Sequence, residues 1–215
     1  IAIIDHGYAN IQSVDRMLRR LNHIPLVTDR PRDIKRADKV ILPGIGAFDA
    51  PMRRLKELRL LDALNEHALV RQRMILGICV GMQIMTRGSE EGETEGLGWI
   101  DGECRRFRPP ADVKLRVPHM GWNKVAIDPR AALFASFGSE AKYYFVHSYY
   151  VALKDRSVNA ATCSYGVDFC ASFQKENIFG VQFHPEKSHR FGLGLLKAFA
   201  DLDMLLTRTI PVLLL

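Results

Sequence analysis

A chain of 215 residues, 47% hydrophobic and 25% charged, carries enough apolar material for a substantial core, which excludes a disordered or fibrous protein and predicts one globular domain over residues 1–215. Its formal charge of +6 comes from basic residues scattered through helical stretches such as RMLRRL and MRRLKELRLL, not from a dense run interleaved with aromatics, so no nucleic-acid partner is expected. The longest apolar runs fall far short of a bilayer span, so no membrane segment is expected either.

In chain order, IAII (1–4) predicts an opening strand, and Ile11, Val14, Met17, Leu18 and Leu21 recur on one face of a helix. IPLVT (24–28) and KVILPG (39–44) are strands; residues 48–70 form a long helical region that Pro51 starts or kinks; MILGIC (74–79) is the next buried strand. Short apolar runs alternating with helical periodicity mark βαβ units around a parallel sheet flanked by helices. From about Gly98 the pattern changes to strands parted by turn residues: GWIDGECRRF, MGWNKVAI, KYYFVHSYYV, VNAATCSY, DFCASFQ and IFGVQF, with a hairpin around KENI. A helix over Ser188 to Leu206, with Phe191, Leu195, Phe199 and Leu202 in register, closes the fold, and residues 208–215, ending in IPVLLL, form a possible tail.

The four cysteines, Cys79, Cys104, Cys163 and Cys170, include no CxxC pair and no zinc-ligand spacing, so no metal site is expected. Without a signal-peptide pattern in the opening residues, a cytoplasmic location and reduced thiols are expected. Neither GxxxxGK[ST] nor a full GxGxxG is present, and no cofactor is expected.

Three stretches suggest chemistry. In GICVG (77–81) a strand runs through a Gly-flanked cysteine into a helix, the thiol form of a nucleophile elbow: glycines permit the strained turn, the helix N-terminus favours the thiolate, and the amide of Val80 faces a developing oxyanion. Glycines beside a buried cysteine also suit a strand that merely packs closely on a helix. In GVQFHPEKS (180–188), His184 and Glu186 are two apart after an apolar strand, so extended backbone would put both on one side, where the carboxylate could orient the imidazole as a base; a lone histidine at a strand end is otherwise an ordinary structural residue. In ILPGIGAF (41–48), Pro43, Gly44 and Gly46 end a strand at the sheet edge where ligands bind, with backbone N–H groups to complete an oxyanion hole, unless the loop is a plain turn.

Together, LPGIGAF, LGICVGMQ, SEEG, PHMGWN, YFVHSYYV and GVQFHPEKS resemble the class I (triad) glutamine amidotransferases and, more closely, the HisH family of glutaminase subunits of imidazole glycerol phosphate synthase. The resemblance covers nearly the whole chain, and PHMGWN is its most specific element. It implies a flavodoxin-like mixed, mostly parallel sheet flanked by helices, with additional antiparallel strands in the second half. It also implies that Cys79 attacks the side-chain amide of glutamine, that His184 shuttles protons and that Glu186 orients it. Gly44, Gly46 and Val80 would surround the oxyanion and glutamine, while Gln83, Glu91 and the backbone around His147, Ser148 and Tyr149 would hold the amino-acid end. The implied partner is a (β/α)₈ barrel synthase subunit forming a heterodimer and receiving ammonia, with Asn10, Met120 and Trp122 at or near the contact. Apart from that resemblance, Asn10 also fits an N-cap and Trp122 a core aromatic.

DHGYAN departs from the family's usual DYGMGN at His6, Tyr8 and Ala9, in a loop that normally faces the partner. SEEGETEGLGWID and EKSHRFG resemble a paralogous branch that supplies ammonia for an amidino sugar of bacterial surface polysaccharide, the first alternative. A stand-alone thiol hydrolase and a non-catalytic binding module are the others.

Overall fold

The computed structural model describes residues 1–109, 114–135 and 141–203. The tail at 208–215 and the predicted helical residues 204–206 lie outside them.

The first half is built as its alternation demands: β1 (Ala2–Ile4), α1 (Ile11–Arg20), β2 (Leu26–Thr28), α2 (Pro31–Arg36), β3 (Lys39–Gly44), α3 (Asp49–Glu57), α4 (Leu61–Asn65), β4 (Met74–Cys79) and the single turn α5 (Val80–Gln83). Strands β5 (Gly102–Arg106), β6 (His119–Lys124), β7 (Ala126–Ile127), β8 (Lys142–His147), β9 (Tyr149–Leu153), β10 (Asn159–Ser164), β11 (Asp168–Lys175) and β12 (Ile178–Val181) follow, then α6 (His189–Asp201). The main sheet runs β2-β1-β3-β4-β12-β11-β10-β7, with β9 on β11 and β5 on β9. It is parallel from β2 to β12 and antiparallel beyond.

β3, β4 and β12 are buried almost throughout, which is why the sequence writes them as unbroken apolar runs and not as alternation. The chain steps outward from β1 to β2 and then back past β1 to β3. With right-handed crossovers this puts α1 on one face and α2 on the other, matching the packing of α1 on α6 and of α2 on α4. Val14 and Leu18 carry the buried stripe of α1, and Leu195 and Phe199 that of α6.

Several expected elements differ. The long helical region breaks after Glu57: Arg59 takes a left-handed φ of 57° and the Leu60 amide bonds back to Leu55 O at 2.9 Å, a Schellman-type stop normally built on glycine. After α4 the chain widens into a π-turn over Glu66–Val70. α2, which the apolar pattern did not indicate, starts with Pro31 at its first position, where proline costs no hydrogen bond. KYYFVHSYYV is two strands: β8 pairs with β6 in a separate ribbon, while β9 belongs to the main sheet, so the chain changes sheet at Ser148. The KENI hairpin is present, Lys175 facing Ile178 across Glu176 at φ 52°. Its Asn177 side chain donates to Ala68 O and Arg73 O, both at 2.8 Å.

Candidate active site

Three neighbouring parallel strands end at one edge. Gly44 at the end of β3 stands in register with Cys79 at the end of β4, and Val181 of β12 faces Ile78, so the chain leaving β12 reaches His184 beside the cysteine. This is the carboxyl edge where open parallel sheets bind ligands.

Cys79 sits at φ 54°, ψ −112°, a conformation that costs a non-glycine residue on the order of 1–3 kcal/mol and persists only when its surroundings enforce it. The two motif glycines do so by close approach. A Cβ on Gly81 would lie 1.8 Å from Leu42 O, and one on Gly77 would lie 2.6 Å from Gly81 O. Backbone therefore meets backbone on both sides of the cysteine. The helix expected after the elbow is only the turn Val80–Gln83; Val80 N–H, first in that turn, has no intrahelical acceptor, but a long-helix dipole is absent.

His184 and Glu186 do not share an extended strand. β12 ends at Val181, and Pro185–Lys187 is a 3₁₀ turn that folds the Glu186 carboxylate back to accept from His184 Nδ1 at 2.7 Å. The turn is pinned by Ser188, whose hydroxyl donates to His184 O at 2.7 Å and accepts from Tyr144 N at 2.9 Å, while His184 N donates to Tyr144 O at 2.9 Å. His184 Nε2 is buried without a hydrogen bond. Burial alone would disfavour the imidazolium, but the Cys79 sulfur and then Glu186 outweigh it and hold His184 well above the ordinary imidazole value. The other three thiols are buried and unreactive by environment: burial pushes Cys104 and Cys163 up to about 12 and Cys170 further still.

Cys79 and His184 line one cavity of about 320 Å³ together with Gly46, Val80, Gln83, Glu91, His147, Ser148 and Tyr149, a size suited to a small molecule. Gly44 does not line it. That glycine lies where β3 crosses the α5 turn, and a Cβ there would meet Gly81 N at 2.7 Å, so its smallness serves packing. The Ile45 amide between the two loop glycines donates to Tyr8 O at 2.8 Å, so this N–H is not offered to the cavity, which Gly46 lines. Glu91 accepts from Phe48 N at 2.9 Å while facing the cavity. Gln83 is buried and donates to Tyr149 O and Gln182 Oε1, both at 3.0 Å.

His6 is buried: one ring nitrogen bonds Pro43 O at 2.7 Å and the other accepts from Tyr8 N at 3.3 Å, tying the DHGYAN loop to the PGIG loop. Burial lowers its pKa, keeping it a neutral linker. Asn10 precedes α1 without a side-chain cap bond and faces a separate hollow beside Asp5 and Gln12. Met120 and Trp122 are 61% and 46% exposed, so Trp122 is no core aromatic. Its ring stacks on His189 at 5.4 Å. Met120 pairs with Val146, which lines the cavity along with Ile45; Tyr8 and Ile45 are each 44% exposed.

The apolar pattern gave no weight to Gln182 or His119. Gln182 is wholly buried and donates to Cys79 Sγ at 3.7 Å. His119 shares a hydrogen bond with His147, Nδ1 to Nε2, at 2.9 Å, and burial lowers His119 to about 4 and His147 to about 3, so both rings are neutral. A polar residue inside an apolar run, as in GVQF, was the available signal.

Residues 2–200 match the family described as glutamine amidotransferase class-I. The chain is 44% identical over 202 residues to imidazole glycerol phosphate synthase subunit HisH 2 of Pseudomonas aeruginosa, covering 94% of this chain and 99% of the relative. It is 45% identical over 203 residues to subunit HisH 1 of Campylobacter jejuni (94% and 100% covered), and 46% identical over 203 residues to subunit HisH of Moorella thermoacetica (94% of each). Among solved structures, a chain of PurLQS from Thermotoga maritima superposes with a TM-score of 0.65 at 16% identity, covering 93% of this chain and 96% of that one. A glutamine amidotransferase from the same organism gives 0.61 at 19%, covering 96% and 86%. At those identities the structures speak for the fold.

Proposed function

The chain belongs to the class I glutamine amidotransferase family, and from that membership we propose that it is the glutaminase subunit, HisH, of imidazole glycerol phosphate synthase, hydrolysing glutamine to glutamate and ammonia for histidine biosynthesis. The relatives that carry the HisH name match over nearly their full length, which favours this acceptor over a surface-polysaccharide pathway or a stand-alone hydrolase. The observation that carries the chemistry is the buried His184–Glu186 pair lining, through His184, the same cavity as the strained Cys79.

In this reading the chain works as one glutamine amidotransferase domain. Cys79 Sγ attacks the side-chain amide carbon of glutamine; the carbon–nitrogen bond breaks, His184 delivers the proton that lets nitrogen leave as ammonia, and a γ-glutamyl thioester remains. His184 then takes a proton from water, which attacks the thioester and frees glutamate and the thiol. Glu186 holds the imidazole by Nδ1, so that Nε2 is the nitrogen that moves the proton. Val80 N–H and the backbone at Gly46 serve the oxyanion. Glu91 pairs with the ammonium of the substrate, and Gln83 with the His147–Tyr149 backbone borders the amino-acid end.

Ammonia released into water at neutral pH is protonated and no longer nucleophilic, so the cavity mouth needs a cover. The exposed apolar side chains of Tyr8, Ile45, Met120 and Trp122 suit a synthase partner, a (β/α)₈ barrel in this proposal, that docks over the mouth and receives ammonia through a shielded passage, with Asn10 at or near the same contact. Among the described residues no helix is long and apolar enough to cross a membrane, and the proposed location is the cytoplasm.

Cys79→Ala tests the division of labour. In the complex it abolishes glutamine-dependent synthesis and leaves ammonia-dependent synthesis intact; equal loss of both would contradict it.

A further inference from the structure

Gln182 is excluded from the cavity yet reaches the reacting atom. It is wholly buried, it does not line the pocket that Cys79 opens onto, and its amide contacts Cys79 Sγ at 3.7 Å. It therefore meets the sulfur from behind, away from the substrate.

Which end of the amide meets the sulfur is settled by a chain of hydrogen bonds that begins at a group with no choice. The Tyr149 carbonyl can only accept, and it takes His147 Nδ1 at 2.8 Å and Gln83 Nε2 at 3.0 Å. His147 is the neutral tautomer that donates there, because its Nε2 engages His119. The Gln83 amide is thus fixed with its NH₂ group toward Tyr149, and the second N–H of that group points to Gln182 at 3.0 Å. An N–H needs an acceptor, so the Gln182 atom at that end is Oε1. The other end, Nε2, is then the one that faces Cys79.

We propose that Gln182 is an additional catalytic residue, one that holds the Cys79 sulfur with an oriented N–H donor and supports it in the thiolate form that attacks glutamine. The proposal rests on Cys79 being the nucleophile. A donor aimed at sulfur favours the anion over the neutral thiol, since hydrogen bonds to charged acceptors are the stronger ones. It also holds the side chain of a residue whose backbone is already strained, so that the thiolate faces the cavity.

The test reads the thiol itself, without glutamine turnover. Full-length protein is treated with iodoacetamide over a range of pH, and modification is assigned to Cys79 by peptide mass mapping; all four cysteines are buried, and of them Cys79 lines the cavity. Gln182→Leu and Gln182→Met remove the donor at similar volume, and either displaces the rising limb of the alkylation profile to higher pH, slowing the reaction about tenfold on that limb while converging with wild type at high pH. Gln182→Glu, which sets a carboxylate against the sulfur, slows it further. A pH profile that superposes on wild type, or a loss of the same size at every pH, overturns the proposal, the second because it marks displacement rather than ionisation. Unaltered protein supplies a readout independent of variant folding: the Gln182 side-chain amide resonances shift when Cys79 is alkylated, and resonances that stay put refute the contact. Glutamine hydrolysis surviving in Cys79→Ala would instead remove the nucleophile assignment beneath it.

Discussion

Gly81→Ala tests whether backbone contact enforces the reactive geometry of Cys79. An alanine Cβ would stand 1.8 Å from Leu42 O and 2.8 Å from its carbonyl carbon. Ordinary contact begins at 3.4 Å, so the α5 turn and strand β3 must part by roughly 1.5 Å, an overpacking that costs about 1–3 kcal/mol or more. Gly44 already occupies the same crossing, where a Cβ would meet Gly81 N at 2.7 Å, and leaves no slack. Cys79 lies two residues upstream, and a misplacement of about 1 Å at a reacting atom costs on the order of 10²-fold. The expected result is a loss of at least about 10²-fold in kcat/KM for glutamine in the complex, with Tm lowered by several degrees. Gly88→Ala is the control, because no atom lies within 4 Å of a Cβ placed there; it changes stability by less than about 0.5 kcal/mol. Steady-state kinetics and calorimetry on the two variants decide the matter. A Gly81→Ala protein with wild-type kcat/KM and Tm would refute the close-packed elbow.

Glu186→Gln leaves an oxygen for His184 Nδ1 but removes the charge that accepts at 2.7 Å; kcat falls about 10²–10⁴-fold with KM little changed, and an unchanged kcat in steady-state assays contradicts the orienting role. Because His184 is raised from 6.5 to about 10, its imidazolium persists above neutral pH, and nitrogen NMR follows it. In Cys79→Ala the sulfur no longer opposes burial, so the ring loses its proton at lower pH, and a titration identical to wild type argues against the pairing. Trp122→Ala removes the exposed aromatic stacked on His189 and weakens partner binding at least about tenfold, measured by calorimetric titration, with the Tm of the isolated chain nearly unchanged; an unaltered Kd would place the partner elsewhere.

The parallel strands were legible because burial on both faces writes them as continuous apolar runs: KVILPG and MILGIC coincide with β3 and β4. The elbow was legible because a non-glycine residue at positive φ between tightly packed backbones needs small neighbours, and Gly77 and Gly81 supply them. Local chemistry concealed the rest. Arg59 ends a helix in a left-handed conformation that arginine does not advertise. Ser148 carries the chain from one sheet to another inside a run of strand-forming residues. The His184–Glu186 contact was expected from extended geometry and arises from a 3₁₀ turn, so the right pair was found by a wrong route. Gln182 stayed hidden because its meaning lies in three partners distant in sequence: Gln83, Cys79 and, through Gln83, Tyr149.

The central claim is that the sulfur of Cys79 carries the glutamyl group during turnover. Rapid acid quenching of the complex with glutamine, followed by peptide mass spectrometry, tests it directly. A glutamyl adduct on the peptide containing Cys79, absent from Cys79→Ser, is the predicted result. Full glutaminase turnover with no adduct at Cys79, or with turnover retained in Cys79→Ala, would contradict it.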